Sequence, residues 1–297
     1  MMDVCIVVHG GRERVRAMVR AAFPRRRARL VFVRTAGEVA RVLRSELVDA
    51  VLVDLGWGKD DAWVAAGLAR EFVSVPFVGL APLRASEGGL LARCAALGLA
   101  ELLVDGVDDA VVHSALTALL FTPRFATLFR APPPELGLGS ALQRAAWARV
   151  VEAGGRVSRT SQLATALGVT REHLSRSFGR GAPPLKGVID LVRLIVAAEL
   201  ARSPGYRVRD IAAVLGFATP SHLARSSARV AGCQPSVLAQ RASAEIITHF
   251  VARHAGATSR RTARASLRGP ASHPPWVAAT GAGEAAAIPV VRAPSAS

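Results

Sequence analysis

The chain has 297 residues, of which 51% are hydrophobic and only 5% aromatic, which suits about two domains with cores of Ala, Val and Leu. Its net charge of +16 needs a partner or another reason. Cys5, Cys94 and Cys233 lie too far apart for metal-ligand spacing or a disulfide framework, and no uncharged apolar run reaches the roughly 18 residues that span a bilayer.

The apolar run behind Asp3 lacks the pattern of a signal peptide, so a reducing cytoplasm is the expected compartment. Only Lys59 and Lys186 among the 38 basic residues are lysine. Arginine suits bidentate recognition of phosphate and guanine, and a GC-rich coding bias yields the same preference. The charge is uneven: +2 over 1–137, +9 over 138–252 and +5 over 253–297. The middle segment is therefore the expected polyanion-binding unit.

Over residues 1–121, short apolar runs alternate with stretches of helical period. The runs "DVCIVVH", "RLVFVR", "DAVLVDL", "PFVGLA" and "AELLVDG" predict strands, and 12–23, 36–46, 60–72, 87–97 and 108–120 predict helices. Nearly continuous apolar runs are those of strands buried on both faces. The fold class predicted is α/β, a five-stranded doubly wound parallel sheet, followed by an all-α domain. Residues 122–137 carry four prolines and read as a linker, 138–252 read as helical, and 253–297 read as a disordered basic tail. The basic cluster "PRRRAR" at 24–29 reads as a solvated loop.

The helical region contains a repeat. "SQLATALGVTREHLSRSF" (161–178) and "RDIAAVLGFATPSHLARSS" (209–227) each place a short helix, a glycine, a turn, a threonine and a second helix in the same order. Gly168 and Gly216 suit the left-handed position that ends a helix. Thr170 and Thr219 suit N-caps, and Pro220 suits a first helical position. This is a helix-turn-helix plan used twice. The joining stretch 185–201 spans roughly 25 Å as a helix, which would set two recognition helices about one DNA turn (~34 Å) apart.

Residues 140–241, through "LATALGVTREHLSRSF", "LVRLIVAAELA" and "VRDIAAVLGFATPSHLARSSARVAGCQPSVLAQR", resemble the DNA-binding domain of the AraC/XylS family of transcription regulators. The resemblance implies that the second helix of each copy enters the major groove. Arg171, Glu172, Ser175 and Arg176 in the first copy, and Ser221, His222, Arg225 and Ser226 in the second, are then the expected base-reading positions. Arg176 and Arg225 lead among them, whereas His222 reads more as a packing or phosphate neighbour. Arg180, Arg207, Arg209 and Arg229 are the expected phosphate contacts. The family carries a large aromatic where this chain has Ser227, and another at Leu238; the first copy keeps its aromatic, Phe178. Ser227 shares a face with Leu223 and Val230, so it is expected to point inward and bond the Leu223 carbonyl, leaving the second copy looser.

The N-terminal pattern with "DAVLVDLG" resembles the receiver domain of response regulators, with Asp54 at the phospho-acceptor position. His9 and Gly10 stand where that family has its acidic pair, Ala81 where it has Thr or Ser, and Asp105 where it has Lys. Too few oxygen ligands remain for a magnesium ion. The domain is read as a degenerate receiver serving dimerisation or partner docking. "HGGRER" lacks the spacing of a dinucleotide-binding loop.

The expected function is sequence-specific binding of double-stranded promoter or operator DNA by a bacterial transcription regulator. It involves no catalysis, cofactor, metal or membrane. RNA polymerase and a second copy, through the N-terminal domain, are the further expected partners. Two alternatives remain: a response regulator switched at Asp54, and an interaction adaptor whose helix-turn-helix units no longer bind DNA.

Overall fold

The computed structural model describes residues 4–24, 28–58, 60–82, 89–157, 160–179 and 182–254. Five strands, β1 Val4–His9, β2 Ala28–Val33, β3 Ala50–Asp54, β4 Phe77–Ala81 and β5 Glu101–Val104, form one parallel sheet in the order β2-β1-β3-β4-β5. Each pairing is in continuous register, with Ile6 opposite both Leu30 and Ala50. β1, β3 and β4 are buried along their whole length, which is why their sequences run apolar without alternation.

Helices α1 (Glu13–Ala22) and α5 (Val112–Leu119) cover one face, where Val15, Val19, Val112 and Leu116 pack on Ile6, Val8, Leu52 and Leu80. Helices α2 (Ala36–Ser45), α3 (Asp60–Gly67) and α4 (Gly89–Leu97) cover the other. A capping box between Thr35 and Glu38 fixes the start of α2. Burial pushes the Cys5 and Cys94 thiols up from their ordinary value, so neither is activated.

The expected linker is instead part of the folded structure. Residues Phe121–Leu128 form helix α6 and bury Phe125, and Leu136 and Leu138 are buried beyond it. Phe121, Phe125 and Phe129 lie one helical turn apart, with centroids 6.2 and 4.7 Å apart, and give the segment an apolar stripe. Pro123 falls in the first turn of α6, where its missing N–H costs no helical bond. The buried Asp49 carboxylate accepts the Cys5 and Thr122 amides, each at 2.7 Å, and so pins α6 to the sheet. Burial raises the pKa of Asp49.

The rest is helical: α7 Ala141–Glu152, α8 Thr160–Ala166, α9 Arg171–Ser177, α10 Leu185–Ala201, α11 Val208–Val214, α12 Pro220–Val230, a 3-10 helix Pro235–Gln240, and α13 over 243–254. Helix α13 runs past 252, where the tail was expected to begin. The expected disorder otherwise concerns 255–297, outside the described residues, as do most of the "PRRRAR" arginines (25–27).

The core beneath α2 and α3 continues without a break through Phe125, Trp147 and α10. The α/β part therefore docks on the helical part rather than hanging from a free tether. At the dock the Gly205 amide donates to the Glu71 carbonyl at 2.7 Å, and Arg44 Nε donates to the Gly205 carbonyl at 3.3 Å. Ser203 Oγ lies 2.7 Å from Ser74 Oγ and accepts the Ser74 amide, while Tyr206 meets Phe72 edge-on at 4.9 Å. A Cβ on Gly205 would lie 2.8 Å from the Phe72 ring and 2.9 Å from the Glu71 carbonyl oxygen, so only glycine fits.

Candidate nucleic-acid interface

Local chemistry builds the two helix-turn-helix units alike. Helix α8 ends at Gly168 (φ +65°) and α11 at Gly216 (φ +67°), the left-handed stops expected there. The Thr170 hydroxyl accepts the His173 amide and the Thr219 hydroxyl accepts the His222 amide, both at 3.1 Å. Pro220 occupies the first turn of α12. These caps fix the angle at which α9 and α12 leave their turns.

Between the units runs α10, buried along nearly all of its 17 residues. Arg193 in its middle is a residue that sequence reasoning missed. Its Nε donates to the Gly155 carbonyl at 3.1 Å and a terminal NH2 to the Val157 carbonyl at 3.0 Å. Its guanidinium lies 5.0 Å over the Phe217 ring. One side chain thus ties the corner before α8 to the turn after α11. A Cβ at Gly155 would lie 2.7 Å from the Arg193 Cα, so the two backbones touch there. Burial lowers the pKa of Arg193. The signal was a lone arginine inside "LVRLIVAA".

On α9, Arg171, Glu172, Ser175 and Arg176 are all exposed, around buried Leu174. Arg176 Nε reaches the Glu172 carbonyl at 3.4 Å, which lays the side chain along its own helix. On α12, Ser221 and Arg225 are exposed. His222 is half-buried and edge-on to the Phe217 ring at 5.5 Å.

Three expectations need correction. Ser226 is buried, because the inward stripe of α12 is wide enough to take Leu223, Ser226, Ser227 and Val230 together. Arg229, though partly exposed, is engaged within the domain, donating at 2.5 Å to the buried carboxylate of Asp190 on α10. The Ser227 hydroxyl donates to the Cys233 carbonyl at 2.8 Å rather than to Leu223. Ser227 is fully enclosed with its hydroxyl satisfied, so the packing does not support a looser second unit. Of the other expected phosphate contacts, Arg207 and Arg209 are exposed at the start of α11, and Arg180 lies outside the described residues. Arg209 sits 3.6 Å from Asp210.

Asp54, at the end of β3, is fully buried and bound by Arg12, whose Nε and NH2 donate to its two oxygens at 2.7 and 2.5 Å. The third Arg12 nitrogen donates to Asp105 at 2.5 Å. His9 Nε2 lies 2.8 Å from the Asp61 carboxylate. Sequence reasoning did not single out Arg12.

Residues 163–241 match the family model described as a helix-turn-helix domain. The N-terminal part is similar to a response regulator from Thermotoga maritima at 14% identity, covering 39% of this chain and 97% of that one, with a TM-score of 0.35. It is also similar to the signal receiver domain of an HD domain-containing protein from Pseudomonas fluorescens Pf-5 (18%, 39% and 94%, 0.35). A third similar structure is the receiver domain of a sensor histidine kinase from Pseudomonas aeruginosa PAO1 (19%, 39% and 97%, 0.33). No curated protein is similar enough to count as a relative. Among the described residues no helix is long and apolar enough to cross a membrane. The strand order β2-β1-β3-β4-β5 is itself the flavodoxin- and receiver-type doubly wound order. The chain thus joins an α/β domain with the doubly wound strand order 2-1-3-4-5 to a helical part in which residues 163–241 match a helix-turn-helix domain.

Proposed function

We propose that this chain is a sequence-specific DNA-binding transcription regulator whose helices α9 and α12 read successive major grooves on one face of the duplex. The observation that carries the reading is the matched geometry of the two units. Each has a left-handed glycine stop, a threonine cap and an exposed arginine on the following helix; the second unit packs on α10, the first packs on α7, and Arg193 of α10 ties the corner before α8 to the same helix. Arg176 and Arg225 are the base readers, since arginine to guanine O6/N7 is the commonest specific contact. Arg171, Glu172, Ser175 and Ser221 flank them on the same faces. Arg207 and Arg209 hold the backbone at the entry to α11. The target is double-stranded promoter DNA in a bacterial cytoplasm. RNA polymerase and a second copy of the chain are the further partners of such a regulator.

The test compares wild type with Arg176→Ala and Arg225→Ala on selected and random duplexes across a salt series. Each substitution should cost about 1–3 kcal/mol of discrimination at one base position and leave random-DNA affinity nearly unchanged. Unaltered sequence preference in both variants would remove the base-reading assignment. Equal affinity of the wild type for every duplex would favour an adaptor that does not read DNA.

A further inference from the structure

In a sheet of order 2-1-3-4-5, ligands are taken in the crevice beyond the carboxyl ends of the strands, where β1 and β3 diverge. In this chain that crevice is filled from within. We infer that Arg12 is a tethered cation that closes the acidic crevice of the receiver-like domain, holding the domain in one state with Asp54 out of reach of divalent metal ions and phosphoryl donors.

Arg12 follows β1 closely, and its guanidinium reaches across to two carboxylates at the ends of β3 and β5. Asp54 at the end of β3 takes a bidentate pair at 2.7 and 2.5 Å, and Asp105 just after β5 takes the remaining nitrogen at 2.5 Å. Arg14 steadies Asp105 from its other oxygen at 2.5 Å and continues to Asp109 at 2.6 Å. The Asp54 side chain is fully enclosed, and that of Asp105 is 7% exposed. The hydrogen bond to Asp54 is the main reason that Arg12 holds its proton even more firmly than an ordinary arginine.

The surrounding backbone is shaped for this plug. A Cβ on Gly56 would lie 3.1 Å from the Arg12 guanidinium carbon, and one on Gly10 (φ +141°) would lie 2.7 Å from the Asp54 Cβ. The Trp57 indole lies against Gly11, where a Cβ would come within 2.2 Å of its ring. Three glycines therefore leave room for a guanidinium, a buried carboxylate and an aromatic cover.

A conventional receiver holds magnesium here, and the residues present do not fit that ion. His9 is turned to Asp61 and Gly10 has no side chain, so Asp54 and Asp105 are the carboxylates left, and both are engaged by arginine. Among the described residues no group of three or more His, Cys, Asp or Glu side chains is arranged to hold a metal. The inference rests on the receiver-like fold and not on the DNA-reading proposal, and its test uses no DNA.

Full-length wild type, Arg12→Ala, Arg12→Gln and Arg12→Ala/Asp54→Asn would be compared in three assays: thermal melting with and without Mn²⁺, Mn²⁺ binding by electron paramagnetic resonance, and intact mass after acetyl phosphate and Mg²⁺. Wild type should bind no Mn²⁺ in the crevice, melt alike with and without it, and gain no phosphoryl mass. Arg12→Ala should melt roughly 5–10 °C lower, since two carboxylates lose their cation. It should recover part of that loss on binding Mn²⁺, and Asp54→Asn should abolish the recovery. If the alanine variant does not fold, the glutamine variant, close in shape and uncharged, carries the same comparison. A phosphoryl adduct on wild-type Asp54, or wild-type Mn²⁺ binding, would overturn the inference. So would a folded Arg12 variant that melts like wild type or ignores Mn²⁺.

Discussion

Replacing Ser227 by phenylalanine restores the aromatic that the AraC/XylS resemblance leads one to expect, and the structure says it should destabilise the protein. Ser227 has no exposed surface, lies between Leu223 and Val230 on α12, and donates its hydroxyl hydrogen to the Cys233 carbonyl at 2.8 Å. A ring in that space would overpack it, at about 1–3 kcal/mol. It would also strand the Cys233 carbonyl, at up to ~1–3 kcal/mol; half-buried Cys233 can still reach water, so the low end applies. The sum is about 2–4 kcal/mol, or a melting temperature lower by roughly 5–15 °C. Ser227→Ala removes only the hydrogen bond and should cost about 1 kcal/mol. Circular-dichroism melts and urea midpoints of the three proteins give the comparison. If Ser227→Phe melted above wild type, the site would hold unfilled space, and the account of a second unit closed around serine would fail.

Arg229→Ala leaves Asp190 buried without its cation. Because Arg229 is partly exposed, the cost should be about 1–3 kcal/mol, visible as a lower urea midpoint. Its salt dependence of DNA binding should match wild type; a slope shallower by about one would return Arg229 to the phosphate contacts. Arg207→Ala and Arg209→Ala should each reduce that slope by about one without altering sequence preference, as read from binding isotherms over a salt series. Gly205→Val drives a side chain into Phe72 and the Glu71 carbonyl. It should lower the melting temperature and open the 129–137 segment to limited proteolysis, whereas an unchanged digestion pattern would mean the dock does not hold the two parts together.

The sheet was legible because strands buried on both faces must be written as continuous apolar runs, and all five of those runs became strands. The turns were legible for a different reason. A glycine at positive φ and a threonine that caps the next helix are local chemistry, and Gly168, Thr170, Gly216 and Thr219 sit where that chemistry put them. What escaped was set by partners distant in sequence. Arg12 meets Asp54 across 42 positions and Arg229 meets Asp190 across 39, and nothing near either arginine announces the pairing. Ser226 escaped because an apolar stripe was drawn too narrow on α12. The expected linker failed because its prolines outweighed the spacing of Phe121, Phe125 and Phe129, which is that of a helix face.

Whether α9 and α12 read one DNA duplex is decided by binding-site selection from a random duplex pool with the full-length chain. An asymmetric site should emerge, with two specified segments centred about 10–10.5 base pairs apart, one losing its definition in Arg176→Ala and the other in Arg225→Ala. A pool that does not enrich, or enriches a single segment indifferent to both substitutions, would contradict the proposal.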